Sequence, residues 1–352
     1  MMDFVYEGLP TRVVFAKGGR ARAAAELKRL GVTRALVLST PPQEEQVRAF
    51  AEEHLGDRVA GVFAGAAMHT PVEVTEEALT VVRESGAEAT LAFGGGSTIG
   101  LGKAIALRTG LPQLAIPTTF AGSEMTPILG QTEAGRKTTL RDAKVLPQAV
   151  IYDPDLIATL PTFIAGPSGM NAMAHAIEAL YAENANPIVS LMAQESIRAL
   201  GSALPKMAAD SADEAARSEA LYGAWLAGLC LGSVGMAIHH KICHTLGGSF
   251  DLPHADVHCL MIPYSSAYNR EAAPEAMRLA AGALDAGDAP DALYGLLQKL
   301  GVKKSLAELG MAPADLDRAA AIAVENPYYN PRPVTREGVR EMLQAAYEGR
   351  PP

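Results

Sequence analysis

The sequence predicts an α/β domain built on a parallel sheet, followed by an all-α domain. Three observations carry that prediction. Short apolar segments alternate with amphipathic ones between Arg12 and Asp153, a βαβα rhythm that calls for helices on both faces of the sheet. One buried segment, ATLAF, runs straight into a glycine turn. After Asp153 the strand signals fade and long Ala- and Leu-rich stretches take over, with Pro154 and Pro161 flanking the change. A chain of 352 residues is long enough for two domains and a sizeable core. The boundary is expected within 153–161, giving domains 1–155 and 156–352.

Taken in order, residues 12–15 (RVVF) read as a strand, 19–30 as a helix and 34–39 (RALVLS) as a buried strand. A helix over 43–55, a strand over 59–63 and a helix over 72–85 follow. Residues 89–93 (ATLAF), 113–116 (QLAI) and 150–153 (VIYD) read as further strands. In the second part, 169–183, 188–204, 215–238 and 336–347 carry helical periodicity. The charge-free run 220–238 is long enough to raise the question of a membrane span. Its many small residues, and its being the single such segment, favour a buried helix instead.

Composition narrows the functions available. Hydrophobic residues at 49% and charged residues at 20% fit a folded globular chain. A formal net charge of −9 argues against a nucleic-acid partner and requires local positive charge for any anionic substrate. The three cysteines Cys230, Cys243 and Cys259 form no CxxC pair and read as free thiols in a reducing compartment. MMDFVYEGLP shows neither the basic nor the apolar region of a signal peptide, so a cytoplasmic location is expected.

Gly94, Gly95, Gly96 and Ser97 lie between a strand and a helix, where bare backbone and free N–H groups suit a phosphate. The spacing is not GxGxxG, so an ordinary tight turn is the competing reading. A second polar loop, AIPTTFAGSEMTP, brings Thr118, Thr119, Ser123 and Glu124 after the next strand. Ligands of open α/β sheets bind beyond the carboxyl ends of the strands, so the two loops together point to a dinucleotide. Thr40 ends an earlier strand with no carboxylate beside it, which admits both NADH and NADPH.

The stretch HHKICHTLGGSFDLPHADVH, from His239 to His258, holds five of the chain's eight histidines, and His175 makes six in the second part. Asn171 and His175 are four apart, as are His240 and His244, so each pair shares a helix face. His254 is expected in a loop after Pro253. Such a set suits either a divalent ion or a polar pocket for an anion.

GGGS, PTTFAGSE, KVLPQAVIYDP, GMNAMAHAIEALY and HxxxHxLG…PH resemble, in order and spacing, the iron-containing (group III) alcohol dehydrogenases over residues 10–345. GGGSTIGLGKAIAL, IPTTFAGSEMTPILGQTEAGRKTT and NPYYNPRP are similar to one branch of that family, which reduces an unsaturated keto dicarboxylate with NAD(P)H during breakdown of aromatic compounds. The resemblance implies a Rossmann-like N-terminal domain and an α-helical C-terminal domain in the dehydroquinate synthase-like arrangement, a cleft between them, and a homodimer. The implied metal ligands fall on Asn171, His175, His240 and His254, where metal-dependent relatives carry aspartate at the first position. A neutral amide is a poorer ligand, so affinity for iron or zinc is expected to drop. Gly100 likewise stands where those relatives have an aspartate.

The implied substrate is a dianionic enone. Hydride adds β to the ketone, and the enolate needs hydrogen bonds or positive charge in place of a metal. His175, His240 and His254 with Asn171 are expected to donate to the carbonyl or a carboxylate, in a pocket expected to be cationic. His244 and Lys144 are the candidates for proton delivery. Lys144, His239, Tyr328 and Arg332 are the candidates for the carboxylates. His258 is expected to support the others. A metal-dependent alcohol or lactaldehyde-type dehydrogenase is the alternative enzyme, and a nucleotide- or metal-binding protein without catalysis is the alternative outside enzymology.

Overall fold

The structure, a computed structural model, describes residues 4–352. It divides into two compact units, Leu9–Leu160 and Pro161–Pro352, with residues 4–8 joined to the second.

The first unit runs β1 (Arg12–Phe15), α1 (Ala23–Arg29), β2 (Ala35–Leu38), α2 (Glu44–His54), β3 (Val59–Phe63), α3 (Val72–Ser85), β4 (Ala89–Gly94), α4 (Gly96–Thr109), β5 (Gln113–Pro117), β6 (Ile128–Glu133), β7 (Arg136–Arg141), β8 (Ala149–Tyr152) and α5 (Pro154–Ile157). Six strands form one parallel sheet in the order β1-β8-β5-β4-β2-β3. Side chains alternate across it, as a period of two demands. Ala35 and Val37 of β2 join a core with Leu27 of α1 and with Val47 and Phe50 of α2. Leu36 and Leu38 face the other way, onto Leu79 of α3 and Leu101 and Ile105 of α4. Burial on both faces explains why these strands read as unbroken apolar runs.

Every strand expected between residues 12 and 153 is present, with ends shifted by one residue at most. The β6–β7 hairpin has no counterpart in the sequence reading. Its turn residues Ala134 and Gly135 both take positive φ, 48° and 75°, as a two-residue hairpin turn requires. Alanine there gives none of the usual sequence signal for such a turn.

The second unit is helical: α6 (Thr162–Ala179), α7 (Pro187–Ala209), α8 (Glu214–Ser233), α9 (Ile238–Phe250), α10 (His254–Asn269), α11 (Pro274–Ala283), α12 (Ala289–Lys299), α13 (Leu316–Val324) and α14 (Arg336–Glu348). The helix expected over 169–183 starts and ends earlier than that, and continues through Pro167. The helix expected over 215–238 stops at Ser233, where α8 and α9 meet at 96°. Polar anchoring ends it: the Gly235 N–H donates to Asn184 Oδ1 at 2.9 Å, and the Ala237 N–H to Glu178 Oε2 at 2.8 Å. No single helix among the described residues is long and apolar enough to cross a membrane. His254 is corrected from loop to the first residue of α10.

Candidate active site

In the first unit, the sheet order reverses between β2 and β4: β2 leads outward to β3, and β4 leads back through β5 to β8. The carboxyl ends of strands at such a reversal frame the ligand crevice of open α/β sheets. Thr40 follows β2, the glycine turn follows β4, and Thr118 and Thr119 follow β5. The Thr118 N–H donates to Gly94 O at 3.1 Å, which joins the last two loops. A residue absent from the sequence reading, Gln43, bridges all three. It accepts from Thr40 Oγ1 at 3.2 Å and donates to Thr118 Oγ1 at 3.3 Å, while its Oε1 lies 3.0 Å from where a Gly94 Cβ would sit.

Gly94 has φ +154°, and a Cβ there would come within 2.5 Å of Thr98 Oγ1. A Cβ on Gly95 would come within 3.0 Å of Thr119. Backbone thus fills the turn, and α4 starts at Gly96 with no side chain among the described residues capping it. Its first N–H groups, including that of Ser97, remain for a ligand. This arrangement fits the pyrophosphate of a nicotinamide dinucleotide. Gly94→Ala is accordingly expected to weaken NADH binding about tenfold or more, equivalent to at least about 1.4 kcal/mol. Fluorescence titration of NADH would read this directly, and an unchanged Kd would remove the turn from the cofactor site.

The second loop is shaped from beneath by Lys103, also absent from the sequence reading. Its buried ammonium donates to Ser123 O, to Thr126 O and Ile128 O at 2.8 Å each, and to Thr126 Oγ1 at 2.9 Å. Burial pulls its pKa down to about 7, opposed by the Glu124 carboxylate. Glu124 accepts from the Tyr152 hydroxyl at 2.7 Å, and burial raises its pKa. Glu124 is therefore enclosed within the domain and supports the loop. Gly100 has its own reason: a Cβ there would lie 2.4 Å from Thr70 Oγ1, so an aspartate needs Thr70 displaced.

In the second unit, five imidazoles converge around a sixth, His258. Ring centroids lie 4.4 Å from it for His254, 4.9 Å for His239 and His240, and 6.5 Å for His175 and His244. Helix α6 supplies Asn171 and His175, α9 supplies His239, His240 and His244, and α10 supplies His254 and His258. The organiser is Glu178, one turn beyond His175 and 1% exposed. Its carboxylate accepts from the Ala237 N–H at 2.8 Å, the His239 N–H at 2.7 Å and His240 Nδ1 at 2.6 Å. It thereby caps α9 from a neighbouring helix and fixes the hydrogen of His240 on Nδ1. The stripe Asn171, His175, Glu178 repeats at helical spacing, which is the signal that could have disclosed it.

The expected cationic pocket needs correction in part. Burial, reinforced by neighbouring imidazoles, pushes the pKa values of His175, His239 and His258 well below the usual histidine value. These three rings are neutral and offer one N–H each. His239 and His258 are tied to each other at 3.0 Å. His239 is buried and both of its ring nitrogens are engaged, Nδ1 with Ser265 and Nε2 with His258, which corrects its candidacy as a carboxylate ligand.

His244 Nδ1 lies 3.2 Å from the hydroxyl of Tyr328, whose pKa is raised by burial and next by Glu178. The loop carrying Tyr328 is pinned to α10 by reciprocal amide bonds between Asn330 and Asn269, at 2.8 and 2.7 Å. Arg332 stacks over the Tyr268 ring at 4.2 Å and donates to Tyr268 O at 3.1 Å, so part of its fork serves the loop. Lys144 belongs to the first unit, on an exposed turn after β7 where its N–H donates to Asp142.

The implied metal can be tested against these residues. Asn171 Oδ1, His175 Nδ1 and His240 Nε2 are buried without a hydrogen-bond partner. Among the described residues, however, the set of His, Cys, Asp or Glu ligand atoms lying within 4.8 Å of one another is His239, Cys243 and His258. The trio His175, His240 and His254 is not so gathered, and the rings of His175 and His240 stack at 5.1 Å. With the amide of Asn171 as fourth corner, this donor set does not fit a firmly held iron or zinc ion.

Comparison with known proteins identifies the family. The model described as iron-containing alcohol dehydrogenase matches residues 10–154, and that of the C-terminal part of the Fe-containing alcohol dehydrogenase family matches 166–347. The maleylacetate reductase of Sphingobium indicum is 54% identical over 351 residues, covering 100% of this chain and 99% of that one. The maleylacetate reductase of Rhizobium sp. strain MTP-10005 is 54% identical over 352 residues, with 100% of both covered. The crystal structure of maleylacetate reductase from Agrobacterium tumefaciens matches with a TM-score of 0.97 at 53% identity over 100% of each chain. From its glycine turn to its histidine cluster, the chain belongs to the iron-containing alcohol dehydrogenase family.

Proposed function

We propose that this protein is an NAD(P)H-dependent maleylacetate reductase, forming 3-oxoadipate in the breakdown of aromatic compounds. The observation that carries the reading is the full-length identity to maleylacetate reductases, 47–54% across eight of them. The site chemistry supports it.

The reduced nicotinamide supplies a hydride to the alkene carbon β to the ketone. Charge then moves onto the carbonyl oxygen, and the chain's task is to hold that oxygen and return a proton to the α carbon. Asn171, His175 and His254 take the first part through hydrogen bonds, while His240, its hydrogen held on Nδ1 by Glu178, keeps its place beside them as a positioning group. His244 takes the second part, with Lys144 as the alternative donor. Tyr328, Arg332 and Lys144 are proposed for the carboxylates. No step is derived through a metal, because the donor set is neutral and dispersed. Thr40 carries no charge, so either dinucleotide is admitted. A homodimer belongs to the same proposal and rests on the family resemblance. A cytoplasmic location accords with three buried, unbridged cysteines.

Chelator-treated protein, checked by elemental analysis, is expected to consume NADH with maleylacetate at the rate of untreated protein. No consumption before chelation would dispose of the reductase reading. Loss on chelation with recovery only on adding iron or zinc would overturn the metal-free mechanism.

A further inference from the structure

One hydrogen-bonded chain in the histidine cluster is left over by the mechanism. Ser265 Oγ lies 3.1 Å from both Met261 O and Ile262 O of its own helix, and its single hydrogen goes to that pair. Its oxygen then accepts from His239 Nδ1, 2.9 Å away. His239 is 1% exposed, and its buried ring touches Ser265, His258 and the thiol of Cys243. A neutral imidazole has one N–H. With that hydrogen on Nδ1, Nε2 is an acceptor, and His258 must donate to it from Nδ1 at 3.0 Å. Cys243 Sγ, 3.6 Å from the same Nε2, is placed to donate as well. The hydrogen of His258 is thereby fixed on Nδ1, and its Nε2 is a bare lone pair. That atom is buried without a hydrogen-bond partner. The opposite direction would leave His258 with a buried orphan N–H, the rarer kind of defect.

We propose that Ser265 and His239 are positioning residues of the reductase: their chain fixes the tautomer of His258 and places a bare Nε2 among the imidazoles that act on the substrate. His254 and His240 are the nearest of these rings, at 4.4 and 4.9 Å. A bare nitrogen edge attracts an N–H and repels a second lone pair. With the His240 hydrogen already held by Glu178, His258 biases which nitrogen of His254 carries hydrogen, and so which donor that ring keeps for the enolate oxygen. Two anchors order the cluster from two sides, Glu178 through His240 and Ser265 through His239. The proposal rests on the reductase reading for its catalytic consequence, and its geometry can be tested without that reading.

Long-range proton–nitrogen correlation spectra of the intact protein, labelled with nitrogen-15 at histidine, read the tautomers. His239 and His258 should each show hydrogen on Nδ1 and a bare Nε2. Hydrogen on Nε2 of either ring would overturn the chain as drawn. So would a thiolate-to-metal band on adding cobalt(II), because His239, Cys243 and His258 would then be a metal site. Ser265→Ala should lower kcat about tenfold with the KM for NADH unchanged, and Ser265→Thr, which keeps the hydroxyl, should restore most of it. A Ser265→Ala kcat within twofold of wild type, at wild-type melting temperature, would also overturn the proposal. An inactive wild type with the expected spectrum would instead count against the reductase reading alone.

Discussion

Replacing His244 by alanine is expected to cut turnover by about 10²–10³-fold while NADH affinity stays near wild type. The size is that of a positioned proton donor removed from a reaction that still has its cofactor and its enolate contacts. The structure adds a partner for His244. Burial raises the pKa of Tyr328, so its phenol keeps its hydrogen, and its hydroxyl lies within hydrogen-bond distance of His244 Nδ1 at 3.2 Å. His244 also sits at the edge of the histidine cluster, stacked on His254 at 6.2 Å. An edge position suits a group that must exchange protons between turnovers. Stopped-flow measurement of NADH oxidation separates the reductive step from cofactor binding. Unchanged turnover would exclude His244 as the donor and leave Lys144 as the candidate.

The sheet was legible because a strand buried on both faces is a continuous apolar run, and because glycine after such a strand has few other uses. ATLAFGGGS shows both at once. The histidine cluster was legible from residue type and spacing, since Asn171 and His175, and His240 and His244, fall at helical spacing. What stayed hidden was polar support that crosses between elements. Gln43 sits in an ordinary helix start, Lys103 in an apolar helix, and Glu178 in an alanine-rich one. Each matters through partners distant in sequence: Glu178 reaches Ala237, His239 and His240 across 59 to 62 positions. Periodicity reports which face is buried but not which buried charge is satisfied, or by whom. The break between α8 and α9 was missed for the same reason, since Val234–Ala237 contains Gly235 yet the decisive acceptors lie on Asn184 and Glu178.

Glu178→Gln is expected to damage both the fold and the chemistry. Oε2 accepts from the Ala237 N–H and from His240 Nδ1, and Oε1 accepts from the His239 N–H. Glutamine has one oxygen and one NH₂ group. Whichever way the amide turns, at least one buried N–H faces another donor. One such unpaired donor costs about 1–3 kcal/mol, and the bonds kept lose the strength that a charged acceptor gives them. A loss of about 3 kcal/mol in a unit of this size lowers the melting temperature by roughly 6–12 °C. The unit is Pro161–Pro352, so scanning calorimetry should show the drop in its transition. Turnover should also fall about 10–100-fold, because the group that holds the His240 hydrogen on Nδ1 is then itself a donor in one amide orientation. The two effects have different signatures. Lower temperature or a stabilising osmolyte should restore folded protein but not kcat, since the tautomer of His240 depends on the acceptor and not on the amount of native state. A variant that melts as wild type and turns over at full rate would show that Glu178 is not what orients the cluster. The ordering of the remaining rings would then have to come from the Ser265 side alone.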